Sequence, residues 1–361
     1  MIEFIGPLPP PVHGFAWVSE QVMNALARQS EVHVFDRALP RLGGGYLRRL
    51  LMPWIALAQV FNFIFRLLVL RPKAVYLACS GGSGMLVDCL FIVLARMFRL
   101  PVYIHHHAFT YLNSPSCMAH RCLALMRNCQ HIVLCEHMGA LLAQKHSISV
   151  NNISVLTNAA FLNVATPKEL GVSRRLTVGF LSNITIEKGI LDFFELAEFF
   201  NSDSNGPRFL IAGPVAESLK ETFSQRLAEL SNVRHIGPVY GAAKDAFFCE
   251  LDLLAFPTRY PNEAEPVTIL EAFRAGVPVM ANHRGCIATM LDESSGLGVL
   301  QAADFPKQAA GLLRQLAESP ERLVILKQGA LSRFVRLQSQ AATKLEWLLG
   351  RIVAGAPVGG R

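Results

Sequence analysis

Short apolar, β-branched runs alternate along the chain with longer stretches whose apolar positions recur every three or four residues. In the first half this pattern predicts strands near 2–6, 32–36, 74–79, 101–106, 131–135 and 153–157. Helices are predicted between them, near 14–29, 46–70, 83–98, 116–128 and 137–146. The second half repeats the rhythm, with strands near 176–182, 208–213, 233–237, 252–256, 277–281 and 297–300. Its helices are expected near 189–201, 216–230, 241–249, 267–275 and 304–318. Strands separated by crossover helices form parallel sheets covered on both faces. Two such series in succession predict an α/β chain of two doubly wound domains. We place the first at residues 1–160 and the second at 175–330, joined by a linker at 159–175 that contains Pro167. A long last helix near 321–352 is expected to pack its end, about 335–352, back on the first domain. The Gly-rich tail after it is expected to fray.

Length agrees with two domains, since 361 residues is about twice the usual ~150 per domain. The chain is 52% hydrophobic, which is rich for a freely soluble protein. The net charge of +7 is unevenly placed. Residues 1–165 hold 13 Lys/Arg against 6 Asp/Glu, whereas residues 166–361 hold 21 of each. A basic first half suits an anionic surface. Nucleic acid is the weaker reading, since no basic-aromatic module is present, and phospholipid headgroups are the stronger. The segment "LLMPWIALAQVFNFIF", 50–65, is uncharged and flanked by Arg48, Arg49, Arg66, Arg71 and Lys73. It is too short for the ~20 apolar residues of a span. It reads either as a buried helix or as one lying in the membrane interface with arginines on lipid phosphates. The eight cysteines include no C-x-x-C pair, and most sit in apolar runs as small hydrophobes. A reducing cytoplasm is the expected compartment, and the N-terminus lacks the pattern of a signal peptide.

In open parallel sheets, ligands bind beyond the carboxyl ends of the strands. The chemistry-bearing residues gather in those loops. "GPLPPPVHG", 6–14, opens the first helix, and Gly14 admits close backbone approach. "GGSG", 81–84, leaves room for an acceptor or is simply a turn. "YIHHHAF", 103–109, ends the fourth strand, where alternation puts His105 and His107 on one face and His106 on the other. No second cluster at ligand spacing supports a metal there. A neutral His bonding a substrate hydroxyl is one reading and a structural His the other. In "LSNITIEKG", 181–189, Lys188 stands at the mouth of a helix, which makes an anion site suited to a pyrophosphate. In "NEAEPVTILEAFRAGVPVMA", 262–281, Pro266 fits a first helical turn. Glu263 then lies at the helix mouth, Glu271 about one turn inside, and the N–H groups near Val267 and Thr268 face the same place. Glu265 has no assigned role and reads as solvated charge at the rim.

Glu263 and Glu271, seven residues apart and followed by "AFRAGVPV", resemble the E-x7-E signature of the retaining glycosyltransferases of family 4, which have the GT-B fold. The resemblance continues in order through the loop at 6–14, "HHHAF", "VLTNAA" at 155–160 and Glu187-Lys188-Gly189. It implies two Rossmann-like domains facing a central cleft, the first binding the acceptor and the second a nucleotide-sugar. It implies that Lys188 neutralises the donor diphosphate, with Asn183 and Gly189 beside it. Glu271 would hold the ribose hydroxyls, Glu263 the hydroxyls of the transferred sugar, and Gly14 would close on the phosphates. His106, or a neighbour, would contact sugar or acceptor, so that Glu263, Lys188 and His106 form the catalytic set. Two positions depart from the family. Asn183 stands where an Arg is usual, so that its charge is missing or is supplied elsewhere, as by Arg259 or Arg284. Asn158-Ala159 stands where Asn-Gly is usual.

These implications define an enzyme that moves a sugar from a nucleotide-sugar to a glycan or lipid-linked acceptor, with retention, in cell-envelope or exopolysaccharide assembly. No metal and no cofactor are expected, since no D-x-D motif is present. No second carboxylate is placed as a nucleophile, unlike the two-carboxylate hydrolases. The expected location is cytoplasmic, peripheral at the inner face of the plasma membrane. The rival readings are an inactive glycosyltransferase-like binding protein at the membrane and a GT-B sugar-nucleotide epimerase.

Overall fold

The apolar runs become strands because crossover helices cover both of their faces. β1 (Ile2–Gly6), β3 (Ala74–Cys79) and β4 (Val102–His106) are buried at every position. The structure is a computed structural model that describes every residue except 11–12, 37–45, 115, 165–170, 172–174, 293–294, 301–302 and 358–361. Most of the expected linker and the end of the Gly-rich tail lie outside the described residues. The chain divides into two units, Met1–Phe161 with Ala341–Arg361, and Leu162–Gln340.

In unit 1 the order along the chain is β1, α1 (Gly14–Ala27), β2 (Val32–Asp36), α2 (Tyr46–Leu70), β3, α3 (Gly84–Met97) and β4. It continues with α4 (Thr110–Asn113), α5 (Cys117–Met126), β5 (Gln130–Val133), α6 (Glu136–His146) and β6 (Ile153–Val155). The six parallel strands are ordered β2-β1-β3-β4-β5-β6. Right-handed crossovers then put α2, α3, α5 and α6 on one face and α1 on the other. Helix starts are set by local capping. Ser116 accepts the Ala119 N–H at 3.1 Å ahead of α5, and His13 accepts that of Ala16 at 3.2 Å ahead of α1. The histidine can do so only through an unprotonated Nδ1, and burial lowers its pKa.

Helix α2 is not the wholly buried helix that one of the two readings expected. Phe63 and Leu67 are buried against the unit, while Trp54, Phe61, Phe65 and Leu68 are exposed. Arg66 turns inward and pairs with Glu3 at 2.9 Å. Burial outweighs that partner and raises the Glu3 carboxyl to about 7. Among the described residues no helix is long and apolar enough to cross a membrane. Cys79, Cys89, Cys122 and Cys129 are buried, as the apolar runs around them imply, whereas Cys117 and Cys249 are exposed.

Unit 2 runs β7 (Thr177–Leu181), α7 (Ile190–Glu198), β8 (Arg208–Ala212), α8 (Lys220–Glu229), β9 (Val233–His235), α9 (Ala242–Glu250) and β10 (Leu253–Phe256). It continues through α10 (Val267–Arg274), β11 (Val279–Asn282), α11 (Ile287–Met290), β12 (Gly296–Leu300) and α12 (Phe305–Glu318). Its parallel strands are ordered β12-β11-β10-β7-β8-β9. This is the doubly wound dinucleotide-binding order, which reverses between β7 and β10. Phe180, Phe193, Phe194 and Phe209 fill the core on the α7 side of the sheet.

The last helix, α13 (Pro320–Ala354), has residues in both units. Leu323, Leu326, Ala330 and Phe334 are buried in its first part and Ala341, Leu348, Leu349 and Ile352 in its second. In unit 1 the Tyr103 hydroxyl lies 3.0 Å from the Arg351 carbonyl and 2.7 Å from that of Ala356. In unit 2, Lys327 reaches the buried Asp252 at 2.6 Å and the Gly171 carbonyl at 2.7 Å. Asp252 also accepts the Thr177 N–H at 3.0 Å, which ties the helix to the start of β7. Asp252→Ala would leave the Lys327 ammonium buried without its counter-ion. The expected loss is about 3–5 kcal/mol of unit 2 stability, read from the denaturant midpoint. A loss well under 1 kcal/mol would show that the pair is not structural.

Candidate active site

The reversal between β7 and β10 brings two loops side by side. The β7 loop is pinned by the Ile184 N–H on the Pro214 carbonyl (2.8 Å) and by Thr185, whose hydroxyl accepts the Lys188 N–H at 3.3 Å. A 3-10 turn over Ile186–Lys188 follows, and Gly189 reverses the chain with φ +85°. A Cβ at Gly189 would stand 2.1 Å from the Pro257 carbonyl oxygen, so the two loops approach backbone to backbone only because this residue is glycine. The Arg259 N–H closes the contact on the Glu187 carbonyl at 2.8 Å. The N–H of Gly189 is itself used, donating to Ile186 at 2.9 Å. The donors at this mouth are therefore the next N–H groups, those of the first turn of α7, which have no intrahelical partner.

Lys188 and Glu263 meet across the two loops. Nζ lies 2.7 Å from Glu263 Oε2, which also accepts the Thr258 hydroxyl at 2.9 Å. The same ammonium lies 4.5 Å from the centre of the Tyr260 ring. Glu263 is held from behind by the loop after β11. Gly285, with φ +50°, passes so close that a Cβ there would be 2.2 Å from the Glu263 carbonyl oxygen. The Cys286 N–H donates to Ala264 at 2.8 Å, and Asn282, fully buried, donates to the Thr258 carbonyl at 3.3 Å.

Pro266 is the N-cap of α10, so Val267 and Thr268 open the helix with N–H groups that lack an intrahelical partner. Glu271, on the same helix, is buried and pairs with Lys244 of α9 at 2.5 Å. The two glutamates of the pair thus hold different cations. Asn183 is exposed in the β7 loop. Arg259, one of the two replacements considered for the missing Arg, is gripped by Asp192 through two bonds of 2.8 and 2.7 Å. Arg284, the other, has a buried Nε with no acceptor. Glu265 corrects the reading of a solvated rim charge: it is 7% exposed. Sequence reasoning missed Thr258, Tyr260, Lys244 and Gly285. The first two stand just ahead of the glutamate pair in "PTRYPNEAE", which is a signal; Lys244 and Gly285 carry none.

In unit 1 the order reverses between β1 and β3, and the loops after β1, β3 and β4 share that edge. Gly14 has no protein atom within 4 Å of where a Cβ would stand. The neighbouring Phe15 ring packs against His107 at 4.8 Å, which brings the first loop to the histidine run. Asp88 accepts the Ser80 N–H at 2.8 Å and holds the Gly-rich loop. His105 and His107 share a face, with rings 4.0 Å apart, and Tyr76 bonds His105 at 2.6 Å.

His106 requires a correction as a contact for sugar or acceptor. It is wholly buried on the other face, with Nδ1 2.7 Å from the Tyr111 hydroxyl and Nε2 2.9 Å from His131 Nδ1. Both ring nitrogens are occupied, and burial among other histidines drives its pKa well down. It is a structural residue. Its neighbour His107 lies at the open end of the strand and keeps a buried Nε2 without a partner. Burial lowers His107 to about 3, so it stays neutral. Among the described residues no three His, Cys, Asp or Glu gather as a metal site.

Residues 175–319 match the family model of glycosyl transferases group 1. Comparison with curated proteins finds no match. Among solved structures the chain is similar to HepE of Anabaena in complex with UDP, at 16% identity and TM-score 0.71, covering 96% of this chain and 99% of that one. It is similar to the lipopolysaccharide outer core galactosyltransferase WaaB, at 17% identity and TM-score 0.68, with 96% and 99% covered. Sucrose-phosphate synthase of Thermosynechococcus elongatus gives 14% identity and TM-score 0.72, with 98% and 99% covered. At such identities the likeness is one of fold: two Rossmann-like domains in the GT-B arrangement of elements.

Proposed function

We propose that the protein, whose residues 175–319 form a group 1 glycosyl transferase domain, moves a sugar from a nucleotide-sugar to a glycan or lipid-linked acceptor with retention, in the manner of family 4. The observation that carries this reading is the Lys188–Glu263 pair, 2.7 Å apart at the point where the sheet order reverses. A nucleoside diphosphate would take the Lys188 ammonium away from Glu263 and receive the N–H groups that open α7 and α10. That electrostatic stabilisation of the leaving diphosphate is the main catalytic term. Glu263, released, accepts from sugar hydroxyls, and Glu271 exchanges Lys244 for ribose hydroxyls. The anomeric carbon–oxygen bond to phosphate breaks, and a bond to the acceptor oxygen forms on the same face. The departing phosphate takes the acceptor proton, and neither metal nor cofactor enters. Arg284 supplies the charge that Asn183 lacks.

The structure of HepE holds UDP, so a UDP-sugar is the first donor to test, with GDP- and ADP-sugars beside it. One of the three is expected to raise Tm by mass action, and Lys188→Ala to remove the rise. Release of the nucleoside diphosphate from that donor separates an enzyme from an inactive binding protein. No shift with any of the three would overturn the assignment of the site. In the cell we place the enzyme in the cytoplasm, in cell-envelope or exopolysaccharide assembly.

A further inference from the structure

Helix α2 has two apolar faces, and the fold uses only one. Phe63 and Leu67 enter the core, whereas Trp54, Phe61, Phe65 and Leu68 recur at helical spacing on the outside, with Trp54, Phe61 and Phe65 more than 60% exposed (69%, 64% and 63%). The adjacent α3 repeats the arrangement. Its outer positions include Leu90 and Met97, the latter 73% exposed. The two helices touch and lie in one layer over the sheet. Their outer stripes therefore form a contiguous patch of exposed aromatic and aliphatic side chains on neighbouring helices.

Charge identifies what covers it. Between residues 46 and 128 the chain carries nine Lys/Arg, of which Arg66 turns inward on Glu3, and a single acid, the buried Asp88. Both helices run against the strands, so their C-terminal ends lie at the same edge. Exposed Arg71 and Lys73 follow α2 there, and Arg96 and Arg99 close α3. A second copy of the chain docking by the same patch would bring like charges together. A bilayer with anionic headgroups meets both halves of the surface, taking the apolar residues into the acyl boundary and the cations at the phosphates. We propose that the outer face of α2 and α3 docks on an anionic lipid bilayer, with both helices in the plane of the interface. This does not rest on the transferase reading.

Flotation of the full chain with vesicles tests it. The protein is expected to float with vesicles of phosphatidylcholine and phosphatidylglycerol, and less with phosphatidylcholine alone. Phe61→Glu with Phe65→Glu should lower partitioning by about tenfold or more with an unchanged far-ultraviolet spectrum, since both residues are exposed. Lys73→Glu with Arg99→Glu should abolish the preference for the anionic vesicle. Absence of flotation in both lipids, or wild-type flotation of the phenylalanine variant, would overturn the proposal. So would a dimer that the phenylalanine variant dissolves without any effect of lipid.

Discussion

Glu263→Ala is expected to lower sugar transfer by about 10²–10³-fold while binding of the nucleoside diphosphate survives. The asymmetry follows from the pairing. Lys188 is paired with Glu263 at 2.7 Å, and a diphosphate has to break that contact to bind. Removing the carboxylate releases the cation, so the affinity for the free nucleotide is retained or increased. The sugar loses an acceptor that is held in place by Thr258 and by the backbone of the Gly285 loop. Lys188→Ala is expected to do the reverse at the binding step. Loss of a charge-assisted contact of about 1.5–3 kcal/mol weakens nucleotide affinity by roughly 10- to 100-fold. Titration of nucleotide into both variants, with turnover measured on the same samples, separates the roles. Wild-type turnover in Glu263→Ala would remove it from the reaction.

Acid is expected to unfold unit 1 before unit 2. His105, His106 and His131 are fully buried, and His107 has a sealed Nε2. Burial lowers all four: His131 to about 4, His107 to about 3, and the other two well below 6.5. The unfolded chain takes up these protons near pH 6.5 and the folded unit does not. Stability is thus fully present above 6.5 and falls as the pH drops below it, by about 1.4 kcal/mol per pH unit for each histidine. Glu3 acts in the opposite direction. Its carboxyl is raised to about 7, so the folded unit holds a proton that the unfolded chain releases above 4.5. Four histidines against one carboxyl leave a net of three protons between pH 6.5 and 4.5 for these groups, and His13 and His146, also lowered by burial, act in the same direction. The slope is then about 4 kcal/mol per pH unit, or about 8 kcal/mol across the window, which is of the order of an ordinary stability of about 5–15 kcal/mol. All three tryptophans, Trp17, Trp54 and Trp347, belong to unit 1, so their fluorescence follows it alone. An emission transition that stays at the same denaturant midpoint from pH 7 to pH 5 would exclude the effect.

Much of this could be read from the chain. The predicted helix at 46–70 and strand at 2–6 have the bounds of α2 and β1, because an apolar period is a local property. The two parallel sheets followed from the alternation of such elements. The loop that carries Glu263 and the turn at Lys188 were singled out because ligands sit beyond strand ends in any sheet of this kind, and the structure brings the two together. The histidine run was read correctly in its alternation, while of the two uses left open for it His106 takes the structural one. Alternation places His106 opposite His105 and His107, but does not say that Tyr111 and His131 wait on that side. For α2 the sequence left two readings open, because apolar spacing does not distinguish a face turned to the core from one turned outward.

Local pattern thus determined the elements, their parallel pairing and the loops where chemistry gathers. Only the tertiary structure decided which groups meet: Lys188 with Glu263 across 75 positions, Lys244 with Glu271, His106 with His131, Arg259 with Asp192. The reason is physical. A period along one element depends on neighbours three or four residues away, whereas a contact between loops depends on strand order and on two glycines that let backbones approach.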